Sequence, residues 1–196
     1  MNIGIYLYEQ AEVLDFAGPF EVFSTAARLS EPSGCFQVSL IAGVAAPVTA
    51  RGGLRVIPDH DLRSHPPLQA LIVPGGVHTA ELQHTEMLQW LRDQAAQVQI
   101  MASVCTGAFL LAQAGLLDGE QVTTHWEDIA DLRAAYPQLE VLERQRWVDR
   151  GKRVTSAGIS AGIDMSLHLV ERLHSRDLAE RTARQMEFDW TGNAPA

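Results

Sequence analysis

The 196-residue chain has little basic charge and only two cysteines. Lys152 is its only lysine, arginine supplies the remaining basic side chains, and the formal net charge is −9. Because no basic stripe stands out, the sequence has no electrostatic footprint for nucleic acid, and we expect no nucleic-acid partner. The two cysteines, Cys35 and Cys105, do not make a disulfide framework, so we expect both to be reduced in a cytoplasmic protein.

Long apolar runs, phosphate-binding motifs and metal-ligand clusters are also missing from the sequence. No run approaches the about 20 residues needed to span a bilayer, and the strand-like start IGIYL at residues 3–7 has no signal-peptide pattern. We therefore expect no membrane partner. The sequence has neither the phosphate-binding motif G-x-x-x-x-G-K-[ST] nor a full G-x-G-x-x-G motif after the first strand. Its seven histidines are scattered without metal-ligand spacing. We expect neither a metal nor a cofactor.

Short apolar runs that alternate with amphipathic segments indicate the fold class. Residues 2–8, 36–42, 68–74 and 98–104 are strand-like, and the run at 68–74 is nearly continuous, as in strands buried on both faces of a parallel sheet. Alternating strands and helices predict an α/β fold, a doubly wound, mostly parallel sheet flanked by helices in a flavodoxin-like sandwich. We expect one domain over residues 1–190 and a frayed tail at 191–196.

Capping and turn residues predict where several of the other elements begin and end. The first helix is predicted to open at Gly18-Pro19, because proline suits the first helical position, and others at 85–97 and 126–136. Residues 59–67 are predicted to be a polar loop. A hairpin is predicted from 139–148 and 152–156. The last two helices are predicted to follow Ser160 and to cover 176–190.

The strongest functional signal lies at residues 98–112. The apolar run ends at Cys105, a Thr-Gly step follows, and a helical pattern then opens. That layout predicts a nucleophile elbow, a sharp strand-to-helix turn that exposes one side chain. Because the N–H groups and dipole at a helix N-terminus favour an anion, we expect a lowered thiol pKa and a nucleophilic thiolate. The alternative is a structural cysteine that packs as a small apolar residue.

Further candidate site residues lie near the same edge of the predicted sheet. Gly75 and Gly76 end the strand before the elbow, where backbone N–H groups could stabilise developing negative charge; a plain turn is the alternative. Asp15 lies in an apolar segment after the first strand. It is either a partly buried acid that exchanges protons with the Cys105 sulfur or a carboxylate at a helix N-terminus. His125 is either a partner of Cys105 or a histidine held structurally at a strand end.

Five segments stand out in chain order: LDFAGPFEVF at 14–23, VPGG at 73–76, ASVCTG at 102–107, TTHW at 123–126 and SAGISAGID at 156–164. Together they resemble the ThiJ/PfpI superfamily, which has the class I glutamine amidotransferase-like fold. Within it, the likeness is greatest to isonitrile (isocyanide) hydratases and to the ligand-binding domains of AraC-type regulators. The resemblance also implies a homodimer.

The resemblance implies a role for each residue that matches these segments. It makes Cys105 the nucleophile and Asp15 its acidic partner, and it places Thr106 directly after the nucleophile. Peptidase-like members have histidine at that position, so peptidase activity is not expected. The candidate catalytic residues are therefore Cys105, Asp15 and Thr106, and the candidate oxyanion or substrate-binding residues are Gly75, Gly76, Gly158, Ile159 and His125.

The expected function is that of a cofactor-independent hydro-lyase similar to isonitrile hydratases. The Cys105 thiolate would add to the carbon of a small-molecule isonitrile, and water would hydrolyse the resulting thioimidate to an N-substituted formamide. Two alternatives stay open. One is a stand-alone, non-catalytic ligand-binding domain related to AraC-type regulators, and the other is an enzyme for another small electrophile such as a glyoxal.

Overall fold

A computed structural model of the protein describes residues 1–193. Within this range the strands are β1 (Asn2–Leu7), β2 (Gln37–Ala42), β3 (Val48–Thr49), β4 (Arg55–Val56), β5 (His60–Asp61), β6 (Ala70–Val73), β7 (Ile100–Val104), β8 (Gln121–Val122), β9 (Glu140–Val141), β10 (Trp147–Arg150) and β11 (Arg153–Ser156). The helices are α1 (Val13–Leu29), α2 (Thr85–Gln97), α3 (Gly107–Gln113), α4 (Ile129–Ala135), α5 (Ala161–Leu173) and α6 (Arg176–Gln185).

A seven-stranded sheet organises the molecule. Its strand order is β10-β11-β7-β6-β1-β2-β5, and each neighbouring pair is parallel except β10 with β11. Helices α1, α5 and α6 pack on one another, and α2 packs against α3. This architecture confirms the predicted α/β fold with a mostly parallel sheet flanked by helices. The division of the chain into a domain at 1–190 and a frayed tail stays a prediction, and residues 194–196 lie outside the described range.

The direction of winding reverses at β1, which places a crevice at one edge of the sheet. The chain moves from β1 to β2 on one side and later returns to β6 on the other side of β1. In open α/β sheets, ligands bind beyond the carboxyl ends of the strands at such a switch point. The central strands β6 and β7 are buried along their whole length, as their continuous apolar runs predict.

The first helix begins earlier than predicted. Helix α1 starts at Val13, so Gly18 and Pro19 lie inside it. Tertiary packing explains the difference, because a Cβ atom at position 18 would lie 3.0 Å from Ile163 of α5. Glycine therefore permits the two helices to approach closely, and the burial gained there outweighs the poor helix propensity of the Gly-Pro pair. Asp15 consequently occupies the first turn of α1 rather than a loop before it.

Three other boundaries also correct the sequence predictions. The predicted polar loop at 59–67 contains β5, which extends the sheet by pairing with β2. The first arm of the predicted hairpin is shorter, because β9 pairs with β8 and only β10 pairs with β11. Helix α6 ends at Gln185 instead of Trp190. Between residues 1 and 193, no helix is both long and apolar enough to cross a bilayer.

The contact between α3 and β6 predicts a strong effect for Gly107→Ala. A Cβ atom at position 107 would overlap the carbonyl oxygen of Val73 at the end of β6. The helix behind Cys105 would have to move, and we expect the free energy of unfolding to fall by about 2 to 3 kcal/mol in urea denaturation. The matched control is Gly43→Ala, whose Cβ would lie 3.5 Å from His84. Equal stability of the two variants would contradict this close approach.

Candidate active site

The candidate residues follow the carboxyl ends of four adjacent strands. Asp15 comes after β1, the Gly75-Gly76 pair after β6, Cys105 after β7 and Ile159 after β11. Because these strands are neighbours in the order β11-β7-β6-β1, their carboxyl ends meet on one edge of the sheet. Residues separated by up to 144 positions in the chain are thereby brought into direct contact.

Cys105 lies in a sharp turn between β7 and α3. Its φ angle is 55°, in the left-handed region that non-glycine residues rarely adopt. The turn is held from both sides, since the Cys105 amide donates to the carbonyls of Ser156 (3.2 Å) and Ala157 (3.3 Å). The hydroxyl of Thr124 donates to the Cys105 carbonyl at 2.8 Å. A strained backbone that several hydrogen bonds hold in place is typical of functional sites. Cys105 itself is 8% exposed.

The Asp15 carboxylate joins three of the strand ends. Its Oδ2 accepts a hydrogen bond from the amide of Gly75 at 3.1 Å, and its Oδ1 accepts one from the amide of Ile159 at 3.2 Å. The Cys105 thiol lies close enough for this carboxylate to raise its pKa. Although Asp15 lies in the first turn of α1, its carboxylate binds the loops after β6 and β11 rather than amides of its own helix. The side chain is fully buried.

The two glycines after β6 make room for this arrangement. A Cβ atom on Gly75 would lie 2.6 Å from the Thr106 nitrogen and 2.9 Å from Asp15 Oδ2. Gly76 has a φ of 138° and its amide donates to the Thr106 hydroxyl at 3.0 Å, while that hydroxyl donates to the Gly76 carbonyl at 3.1 Å. Both glycine amides thus hold side chains of the site in position. The Thr106 hydroxyl ties the elbow to the glycine loop.

The pKa values of the buried pair move in the same direction. Burial raises the pKa of Asp15 to about 7, with a further increase from Glu12, while the amides of Gly75 and Ile159 and the Cys105 thiol oppose the shift. Burial and then the Asp15 carboxylate raise the pKa of the Cys105 thiol above its usual range.

The expected low thiol pKa was therefore wrong. The Thr106 amide does favour the thiolate, but helix α3 has only seven residues, and desolvation next to a carboxylate outweighs that help. The first proton lost near neutral pH belongs to the pair as a whole. It leaves the pair with one negative charge, held mainly on Asp15, and one remaining proton on the thiol.

Two adjoining cavities open beside the pair. The smaller, of about 330 Å³, contacts Cys105, and we call it the reaction cavity. The larger, of about 640 Å³, we call the tail cavity. Both are lined in part by His125, Glu127 and Ile159, which form the boundary between them. Their volumes are in the range of small-molecule sites.

His125 sits at this boundary and not on the thiol. Its Nδ1 lies 3.4 Å from Asp128 and 3.7 Å from Glu127. Gly158 lies directly against its ring, because a Cβ at position 158 would overlap the imidazole. Sequence reasoning missed several residues around the site. Thr124, which binds the Cys105 carbonyl, lies in the TTHW segment and could have been found from it. The sequence contains no functional motif that includes the other missed residues, which line the reaction cavity: Glu12, Arg51, His78 and Asp128. Over residues 1–193, no group of three or more His, Cys, Asp and Glu side chains is placed to hold a metal ion.

Comparison with known proteins agrees with this fold. The model of the DJ-1/PfpI family matches residues 1–172. An isonitrile hydratase of Pseudomonas putida is 35% identical over 191 residues, which are 96% of this chain and 78% of the relative. The HTH-type transcriptional regulator GbdR of Pseudomonas aeruginosa is 34% identical over 96% of this chain, which spans 51% of the regulator's length. The crystal structure of a ThiJ/PfpI family protein from Pseudomonas syringae has a TM-score of 0.85 at 30% identity, covering 96% of this chain and 75% of that one.

The raised pKa of Asp15 predicts how stability depends on pH. The unfolded chain loses the Asp15 proton near its ordinary pKa of 3.8, whereas the folded protein keeps it to about 7. Asp15 therefore lowers the wild-type free energy of unfolding as pH rises between these values, by roughly 4 kcal/mol. Asp15→Asn removes this slope, so the variant gains stability relative to wild type from pH 4 to pH 8 in urea denaturation.

The control for this experiment is Asp61→Asn. Asp61 is a partly exposed carboxylate whose pKa is lowered by turn hydrogen bonds, so its removal should produce no relative gain above pH 4. A carboxylate that serves only the N-terminus of α1 also has a lowered pKa. A flat or falling stability difference for Asp15→Asn over the same pH range would therefore support that alternative and contradict the buried acid.

Proposed function

This chain belongs to the DJ-1/PfpI family, and from that membership and the geometry of its site we propose that it hydrates an isonitrile to an N-substituted formamide, with Cys105 as nucleophile. The observation that carries the proposal is the fully buried Asp15, held by the amides of Gly75 and Ile159 against the Cys105 thiol. A buried acid with a pKa near neutrality can both take and return a proton at working pH. The similarity to an isonitrile hydratase supports the substrate class.

In the first step, Asp15 removes the thiol proton while the sulfur attacks the terminal carbon of the isonitrile. A C–S bond forms, and Asp15 returns the proton to that carbon, so that S–H has added across it and a thioimidate results. A raised thiol pKa suits this step, because the intrinsic nucleophilicity of a thiolate increases with its pKa. The proton moves between two neighbouring groups that together carry one negative charge throughout, which avoids charge separation in the buried site.

In the second step, water adds to the thioimidate carbon. The nitrogen gains one proton of the water, and Asp15 conveys the other to the sulfur as the C–S bond breaks and the formamide carbonyl forms. The Thr106 amide, which favours the thiolate form of Cys105, stabilises the departing sulfur. We assign His125 and Asp128, whose side chains are 3.4 Å apart at the reaction cavity, the role of orienting the water. Gly75 and Gly76 act by positioning Asp15 and Thr106.

A ligand-binding domain without catalysis is the second candidate function. It is favoured by the similarity to a transcriptional regulator about twice as long as the matched region. The buried acid next to the thiol favours chemistry, because a binding pocket needs no proton donor with a pKa near neutrality. The homodimer, the cytoplasmic location and the lack of a cofactor stay predictions.

Removal of the thiol tests the proposal directly. We expect Cys105→Ala and Cys105→Ser to abolish formation of formamide from cyclohexyl isonitrile while the melting temperature shows a folded protein. Cys35→Ala is the matched control, because Cys35 is the other free cysteine and lies outside the reaction cavity. Wild-type turnover by Cys105→Ala would exclude covalent catalysis. A wild-type protein that binds isonitriles without turning them over would support the ligand-binding domain.

The coupled ionisation of Asp15 and Cys105 predicts how turnover depends on pH. Attack requires the pair in its singly ionised state, so kcat/KM should rise with pH through an apparent pKa of about 7. Asp15→Asn has no carboxylate to take the thiol proton. Its kcat should be lower by about two orders of magnitude, and the inflection near pH 7 should be absent. An Asp15→Asn variant with the wild-type profile would show that another group is the base.

A further inference from the structure

We propose that the tail cavity binds a carboxylate carried by the substrate, so that the preferred isonitriles are anionic molecules with the charge at the end remote from the isocyano group. This inference rests on the proposed function, because it places the isocyano carbon at Cys105. The tail cavity itself is a separate feature of the molecule, lined largely by residues of 123–146 and 157–161. The two cavities meet at His125 and Ile159, so one molecule can occupy both.

The reaction cavity is more acidic than the tail cavity. Glu12, Glu127 and Asp128 line the reaction cavity with a single arginine, whereas three arginines outnumber Glu127 and Glu143 in the lining of the tail cavity. The arginine of the reaction cavity, Arg51, is paired with Glu12 at 3.2 Å. An anionic group next to Cys105 would therefore be repelled, whereas the uncharged isocyano group would not. An anionic substrate consequently has one favourable orientation, with its charge directed away from the thiol.

The tail cavity contains three arginines, and two of them have donors to offer a ligand. Arg133 is engaged by Glu143 and by the Val141 carbonyl, both at 2.6 Å. Arg146 uses Nε to bind the fully buried Asp164, and its two terminal nitrogens have no hydrogen-bond acceptor among residues 1–193. Arg144 makes no side-chain hydrogen bond or ion pair within that same range.

The backbone around Arg144 gives a second, independent reason to regard it as functional. Its φ is 57°, so it is one of the few non-glycine residues in the left-handed region. Two others, Cys105 and Ile159, line the same pair of cavities. Strained residues of this kind cluster at ligand sites, where the strain fixes the direction of a side chain. The guanidinium groups of Arg144 and Arg146 together suit the planar, two-oxygen geometry of a carboxylate.

Apolar side chains form part of the lining of the tail cavity. They are Ile129, Ala157, Ile159 and Trp126, and Trp126 has 76% of its surface exposed. This lining suits a hydrocarbon stem. The whole arrangement therefore matches a molecule with a neutral reactive head, an apolar middle and an anionic end.

The experiment compares three isonitriles of equal chain length: 6-isocyanohexanoate, its methyl ester and 6-isocyanohexylamine. We expect wild-type kcat/KM to be about tenfold higher for the carboxylate than for the ester, mainly through KM, and lowest for the amine. In Arg144→Gln the ratio of carboxylate to ester should fall by about five- to tenfold, and in Arg144→Glu the amine should overtake the carboxylate. The control, Lys152→Gln, removes an exposed positive charge in the turn before β11, at the opposite edge of the sheet. It should keep the wild-type ratio.

Failure of this inference can be told apart from failure of the proposed function. If the ester is turned over as well as the carboxylate and Arg144→Gln leaves their ratio unchanged, the hydratase stands and the carboxylate site is wrong. If cyclohexyl isonitrile is turned over and none of the three probes is, the hydratase stands and the carboxylate site is wrong. If cyclohexyl isonitrile is not turned over either, the hydratase proposal is wrong, and calorimetry with 6-formamidohexanoate and Cys105→Ala tests the site alone. Binding that weakens at least fivefold in the double variant with Arg144→Gln supports the site; no binding, or equal binding, overturns it.

Discussion

The site depends on one buried carboxylate held by two backbone amides. Burying Asp15 would be costly without hydrogen-bond partners, and the amides of Gly75 and Ile159 supply them at 3.1 and 3.2 Å. Because these amides belong to loops after β6 and β11, the carboxylate joins three strand ends around the Cys105 turn. Position 75 can accommodate only glycine, since any Cβ would lie within 3 Å of Asp15 and Thr106. The same burial that requires these partners raises the pKa of Asp15 to about 7 and makes it useful in proton transfer.

The sequence predicted the mostly parallel sheet and the placement of the candidate residues near one of its edges, but not the electrostatics of those residues. The strands predicted from the apolar runs before Gly75 and Cys105 are present, and α2 has the predicted bounds. Both predictions succeeded because buried strands and amphipathic helices have recognisable hydrophobic patterns in the sequence. The start of α1 was wrong because the close approach of Gly18 to Ile163 is a tertiary contact. Thr124, which binds the Cys105 carbonyl, and the acidic Glu12 and Asp128 depend on which loops converge. The raised thiol pKa likewise comes from burial and from Asp15, which local patterns do not reveal.

A fold of this kind supports both chemistry and ligand binding, so the function must be argued from the site. We propose that in this chain the elbow, the acid and the glycine loop act as a proton-transfer unit, while the arginines of the tail cavity lie apart from Cys105. In this proposal the acidic reaction cavity keeps anionic groups from the thiol, and Arg144 and Arg146 of the tail cavity attract them. Reactivity and selectivity are thereby assigned to different residues, with His125 and Ile159 at the boundary. A family member could change its ligand by substitutions in the tail cavity without disturbing the Asp15–Cys105 pair.

We infer that Asp15 shares a proton with Cys105 near neutral pH. Carbon-13 NMR of protein labelled at the aspartate carboxyl carbon measures this directly, because the signal that disappears in Asp15→Asn belongs to Asp15. We predict that this signal titrates with an apparent pKa of about 7. A titration near the ordinary value of 3.8 would show an ionised carboxylate that cannot return a proton to substrate at neutral pH, and it would contradict the account.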